Sequence, residues 1–215
     1  MRVVIRGAGD LASGVALRLW RAGMDVVLLD VEKPTAIRRT VAFSEAIVHG
    51  EQTVEDVTAR LATAETVEET LAAGMIPVLV DPEGRSIPTL RPDALVDAIL
   101  AKRNLGTEIT DAPVVIGVGP GFTAGVDCHA VVETMRGHTL GRVIREGAAI
   151  PNTGIPGLIG GFAGERVLRA PAAGLFHPLR DIGDAVTEGE VLATVEGKPM
   201  AATLTGTLRG ILPEG

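Results

Sequence analysis

The feature that most constrains this chain is a change of hydrophobic period inside its first thirty residues. Val3, Val4 and Ile5 are consecutive and β-branched, which predicts a buried strand over Met1–Arg6. From Asp10 to Ala22 the apolar residues recur at helical spacing, with Leu11, Val15 and Leu19 on one line and Ala12, Ala16 and Trp20 beside it. Gly23 stands where that helix ends, and Val26, Val27, Leu28 and Leu29 form a second apolar strand closing at Asp30. Strand, helix and strand over so short a stretch predict a right-handed crossover between parallel strands. The expectation is an α/β fold with a Rossmann-like parallel sheet at the amino terminus.

The turn before the helix, Gly7-Ala8-Gly9-Asp10-Leu11-Ala12, matches the G-x-G-x-x-A pattern of nucleotide-binding loops. Gly7 permits a tight turn, Gly9 lets backbone amides approach a phosphate, and Ala12 allows helix and strand to pack closely. Asp30 follows Gly7 by 23 residues, close to the spacing of the acid that binds ribose hydroxyls in NAD(P) enzymes. Asp10 works against a plain dinucleotide site. Its carboxylate competes for the amides a phosphate would use, and repels that phosphate unless a metal ion or Arg6 neutralises it. The competing reading makes Asp10 a simple helix cap. Arg38 and Arg39 fit either a clamp for phosphate or a solvated face.

Further along, Thr66-x-x-Glu69 predicts a capping box that opens a short helix ending at Gly74. Pro77–Val80 reads as a brief strand with a turn at Asp81–Gly84. Pro92 is expected to start a helix with Leu95, Val96, Ile99 and Leu100 inward and Lys102 and Arg103 in its last turn. Val114–Val118 is a further apolar strand. It runs into a second glycine-rich loop in which Gly119, Gly121 and Gly125 allow close backbone approach to an anion. Short β segments follow, and the division expected is an α/β domain over residues 1–164 and a small β-sandwich over 165–215.

Asp127, Cys128 and His129 come next, then Glu133, Arg136 and His138. In an extended segment Asp127 and His129 share a face and Cys128 takes the other. These spacings fit no zinc pattern, so no metal site is expected. Some of Asp127, Glu133, Arg136 and His138 are read as lining a polar pocket, with Cys128 a buried, inert thiol. Aromatics are 2% of the chain and the net charge is −7 with no basic block. Both facts argue against nucleic acid as a partner. The single cysteine, the lack of a leader pattern and the lack of a run near the roughly 20 apolar residues that span a bilayer predict a cytoplasmic protein, not a membrane one.

Five motifs recur in order: Gly7-Ala8-Gly9-Asp10-Leu11-Ala12-Ser13-Gly14, Glu32-Lys33-Pro34-Thr35-Ala36-Ile37-Arg38-Arg39, Ile76-Pro77-Val78-Leu79-Val80-Asp81-Pro82, Gly119-Pro120-Gly121-Phe122 and Glu133-Thr134-Met135-Arg136-Gly137-His138. Together they resemble the selenium-dependent molybdenum hydroxylase accessory family, often called YqeB, with looser kinship to XdhC-type proteins that handle molybdenum cofactor on a Rossmann-like domain. The resemblance implies a maturation role, with molybdenum cofactor (molybdopterin) or a related phosphate-bearing nucleotide as ligand and a molybdenum hydroxylase apoenzyme as partner. It supplies no catalytic residue. Under it, the Gly7–Asp10 and Gly119–Gly125 loops would hold phosphates and Arg38, Arg39 and Arg136 would neutralise charge. Asp127, Glu133 or His138 would contact the pterin. The alternative class is an NAD(P)-dependent oxidoreductase using the first loop and Asp30. The sequence leaves turnover and homo-oligomer formation open.

Arg169-Ala170-Pro171-Ala172-Ala173-Gly174 and Asp181-Ile182-Gly183-Asp184-Ala185-Val186-Thr187-Glu188-Gly189 resemble one half of a lipoyl or biotinyl domain. Lys198 precedes Pro199 and lacks the flanks a modifying enzyme reads, so it is expected to stay unmodified. The second half of such a domain would lie past Gly215, in a longer protein or on another chain.

Overall fold

In the computed structural model, which describes residues 1–215, the first apolar run is β1 (Arg2–Arg6), the periodic stretch α1 (Asp10–Arg21) and the second run β2 (Asp25–Asp30). Next come α2 (Glu45–His49), β3 (Glu51–Val54), β4 (Val57–Leu61), α3 (Val67–Ala72), β5 (Ile76–Val80) and α4 (Ile87–Leu90). Then follow β6 (Ala94–Asp97), β7 (Val114–Val118), β8 (Thr123–Ala124), β9 (Ala130–Val132), β10 (Val143–Ile144) and β11 (Gly147–Ala148). Nine of these strands form one sheet in the order β10-β9-β7-β6-β1-β2-β5-β4-β3. Neighbours from β9 across to β4 are parallel, and β10 and β3 close the edges antiparallel. The run β5-β2-β1-β6-β7-β9 has the 3-2-1-4-5-6 order of doubly wound sheets. Its direction of progression reverses between β1 and β6.

Consecutive apolar residues are needed because both faces of the sheet are covered. Val3, Ile5, Val26 and Leu28 pack on one face with Ala12, Ala16 and Leu17 of α1 and with Phe43. Val4, Val27, Leu29 and Leu95 pack on the other with Ile87, Leu90, Phe122 and Cys128. The buried stripe of α1 is Ala12, Ser13, Ala16 and Leu17. Leu11, at the head of the apolar line with Val15 and Leu19, is exposed: small residues face β1 and β2, and the bulkier line is displaced around the helix.

Two local expectations are corrected. The helix expected from Pro92 is β6, with Leu95 and Val96 on opposite faces of the sheet. A run of three apolar residues, Ala94 to Val96, does not distinguish the two periods, and β1 needs a parallel neighbour on each side to bury its edge. Leu100 and Lys102, which that helix would have included, have φ of 60° and 64°. The capping box at Thr66 does not form either. The Thr66 hydroxyl accepts the Thr63 amide at 2.9 Å, closing the preceding turn instead.

Backbone contacts divide the chain into one unit of Met1–Pro34 and Val41–Asn152 and another of Thr35–Thr40 and Thr153–Gly215. The division falls earlier than the 164/165 position read from the sequence. The second unit contains β12 (Phe176–Pro178), β13 (Ala185–Val186), β14 (Val191–Val195), β15 (Lys198–Ala201) and β16 (Gly206–Thr207). They form the antiparallel ladders β12-β14-β15 and β13-β16. Glu196 and Gly197 join β14 to β15 with φ of 48° and 74°, the positive pair of a type I′ hairpin. Lys198 is paired with Val195 at the base of that turn. Residues 35–40 are tied in by the Ile211 amide donating to the Ile37 carbonyl at 2.8 Å. No helix is long and apolar enough to cross a membrane.

Candidate functional site

Because β1, β6, β7 and β9 are parallel, the segments that follow them all leave from one edge of the sheet. Ligands of open α/β sheets sit outside this carboxyl edge, where the strand order reverses. The Gly7–Gly9 turn lies there. Gly7 has φ of 98°, and a Cβ on it would lie 2.9 Å from the Ala98 carbonyl oxygen, so both backbone and space exclude a side chain. Gly9 is the N-cap of α1 in an extended conformation. Having no side chain, it brings none of the acceptors that a Ser, Thr or Asp cap would offer the first helical amides. Asp10 is the first residue of the helix and half-buried.

The turn is fixed from beneath. The Ala8 carbonyl accepts the Ser13 hydroxyl at 3.1 Å and the Ser44 amide at 2.9 Å. The Ser13 oxygen in turn accepts the Phe43 amide at 2.8 Å. The Ser44 hydroxyl is buried with no hydrogen-bond partner. Asp30 joins the same framework: its carboxylate accepts the Ala8 amide at 2.8 Å and the Val31 amide at 2.7 Å. Burial pushes its pKa above the usual carboxylate value, with the two amides pulling weakly the other way.

Between the two glycine loops lies a buried charged network that inspection of the sequence missed. Arg6 ends β1 and is paired in register with Asp97 at the end of β6. The Arg6 guanidinium donates to the Thr107 hydroxyl at 2.6 Å and to the carbonyls of Pro82 and Leu105, each at 3.2 Å. Thr107 donates to Asp97 at 2.6 Å, and Arg6 and Asp97 are 3.7 Å apart. Arg6 is thus committed to this network. The signal available in the sequence was a charged residue closing each of two apolar runs.

The second loop is packed differently. A Cβ on Gly119 would lie 2.8 Å from the Thr134 hydroxyl oxygen, and one on Gly121 would lie 2.7 Å from the Arg103 backbone. Gly125 faces open space at φ 86°. Asp127 accepts the Thr123 amide at 2.7 Å, and His129 accepts the Val115 amide through Nδ1 at 2.9 Å. Cys128 is fully buried, and desolvation pushes its thiol pKa up. Glu133 is 2% exposed. Its two oxygens accept the amides of Thr134 and Met135 at 2.7 Å and of Ile150 at 2.8 Å. Desolvation pushes its pKa up, but the three amides outweigh it and leave the carboxyl below its usual range. Arg136 and His138 are exposed on the loop that Glu133 anchors.

Arg38 and Arg39 belong to the second unit, where Arg39 Nε donates to the Ile211 carbonyl at 3.0 Å. No group of three or more His, Cys, Asp or Glu side chains converges in a way that could hold a metal ion.

These features define a mixed α/β protein with a mostly parallel, Rossmann-like sheet and a glycine turn at the reversal point. Along 214 residues, 99% of its length, the chain is 57% identical to a protein of Escherichia coli (strain K12) named "Uncharacterized protein YqeB". The similarity runs over essentially the whole of this chain, which spans 40% of the length of that protein. No family model and no solved structure matches it.

Proposed function

We propose that this chain is an accessory protein in the maturation of a molybdenum hydroxylase, and that its first unit holds the phosphate of molybdopterin or of a related nucleotide. The observation that carries the reading is the turn Gly7-Ala8-Gly9, which delivers a twelve-residue helix, amino end first, to the point where the strand order reverses. A helix start with no side-chain cap offers amides and a positive dipole end to an anion. Such a site fits a phosphate monoester held by the helix amides, with the Asp10 carboxylate in the first turn opposing it and Arg6 engaged with Asp97. The maturation role itself, its link to selenium and kinship with XdhC-type proteins rest on the motif resemblance. So does the reading of the second unit as a lipoyl-like sandwich without modification at Lys198.

The environment of Asp30 favours this reading over an NAD(P)-dependent oxidoreductase. Each of its oxygens already accepts one backbone amide, two of about four lone-pair sites, and burial raises its pKa, so a ribose diol would meet a carboxyl already engaged in holding the turn. The test is anaerobic purification from cells that make molybdopterin, followed by acid–iodine oxidation and pterin fluorescence. Stoichiometric pterin in the protein, lost in Gly9→Val, is the expected result. Absence of pterin together with a blue shift of NADH fluorescence on mixing would replace this reading with the oxidoreductase.

A further inference from the structure

The loop after β9 is more strongly built than a solvated hairpin requires. From Thr134 to Arg142, ahead of β10, the sequence holds two arginines and one histidine and no carboxylate, in a chain whose net charge is −7. The positive group is exposed, yet the loop beneath it is anchored by the buried Glu133. Burying a carboxylate is costly unless hydrogen bonds replace its water, and here three backbone amides do so. The Gly141 amide donates to the Glu133 carbonyl and the Glu133 amide to the Arg142 carbonyl, at 2.8 and 2.9 Å. The loop is thereby closed on itself.

Its position follows from the topology. β9 is parallel to β7, the Gly119 amide donates to the Val132 carbonyl at 2.8 Å, and Thr134 lies against Gly119. The loop therefore leaves from the same carboxyl edge as the Gly7–Gly9 turn. β1 and β9 are separated by β6 and β7, three strand spacings or about 14 Å.

We infer that Arg136 and His138, on the loop anchored by Glu133, form a second anion-recognition point, so that the ligand of this edge is an elongated molecule with an anionic group at each end. The inference rests on reading the amino end of α1 as a phosphate site. It adds the length and the second charge of the ligand. Glu133 acts as a positioning residue, holding the loop rather than touching the ligand.

A ladder of alkanediol bisphosphates of increasing length, compared with an alkyl monophosphate by titration calorimetry, tests it on the full chain. The bisphosphate whose phosphates reach about 14 Å apart is expected to bind about a hundredfold more tightly than the monophosphate, as linked contacts do. Arg136→Gln, an exposed change, should return it to the monophosphate affinity while leaving the monophosphate unaffected. Gly9→Val should abolish monophosphate binding. If length brings no gain, or Arg136→Gln changes nothing, while Gly9→Val still removes the monophosphate, the second point is overturned and the first reading stands. If no phosphate ligand binds, both are overturned.

Discussion

Two glycine-rich loops follow two strands of one sheet, and they use glycine for different ends. In the Gly119–Gly125 loop the missing side chains make room for the protein itself, since Thr134 and the Arg103 backbone occupy the space a Cβ would need. In the Gly7–Gly9 turn, Gly7 serves the sheet in the same way, but Gly9 sits at the start of a helix in a conformation open to any residue, φ −67° and ψ −177°. A glycine-rich loop after a strand is therefore a statement about close approach, and only the neighbours reveal what approaches.

Substitutions can break this contrast. The largest effect is expected beneath both loops. Arg6→Met leaves Asp97 buried and unpaired, at a cost of about 3–5 kcal/mol in urea unfolding; a change under 1 kcal/mol would mean water reaches the network. Gly121→Val combines φ of 119° with a backbone clash and should cost about 3 kcal/mol. Gly9→Val should cost about 1 kcal/mol. Equal losses in the two glycine variants would erase the distinction between the loops. Glu133→Gln removes the charge from three hydrogen bonds, and a loss of about 1–3 kcal/mol is expected at neutral pH.

The weakest effect expected is a difference in titration between two carboxyls, Asp30 and Glu133. Glu133 has a lowered folded-state pKa. Its stabilisation is present above the unfolded value of about 4.3 and is lost as pH falls through the lower folded value. Asp30 has a raised pKa, so its contribution runs the other way. It favours folding below the unfolded value of about 3.9 and loses that as pH rises through the folded value. Carboxyl carbon NMR should find Asp30 titrating above its unfolded-chain value and Glu133 below its own. Coincident titrations would remove the difference between the two environments.

The βαβ unit was legible because both of its strands are buried on two faces and its helix is long enough to show a period. The β6 strand was not, because three apolar residues ahead of Asp97 satisfy either period and only the need of β1 for a second neighbour decides between them. Around the candidate site, the glycines could be read from their spacing. The work of Asp30 and Glu133 could not: both accept backbone amides, which leave no trace in residue identity. Arg6 and Asp97 lie 91 residues apart, and only the parallel register brings them level.

The segment Thr35–Thr40 has a practical consequence. The chain enters the second unit there, returns to the first at Val41 and enters again at Thr153. A single cut anywhere in the chain therefore cannot release either unit whole. A fragment beginning at Thr153 would leave the Ile211 amide without the Ile37 carbonyl and the Ile211 carbonyl without Arg39. Limited proteolysis at Asn152 should yield two pieces that remain together until denatured, and shuffling by simple fusion at that point would carry away an incomplete module.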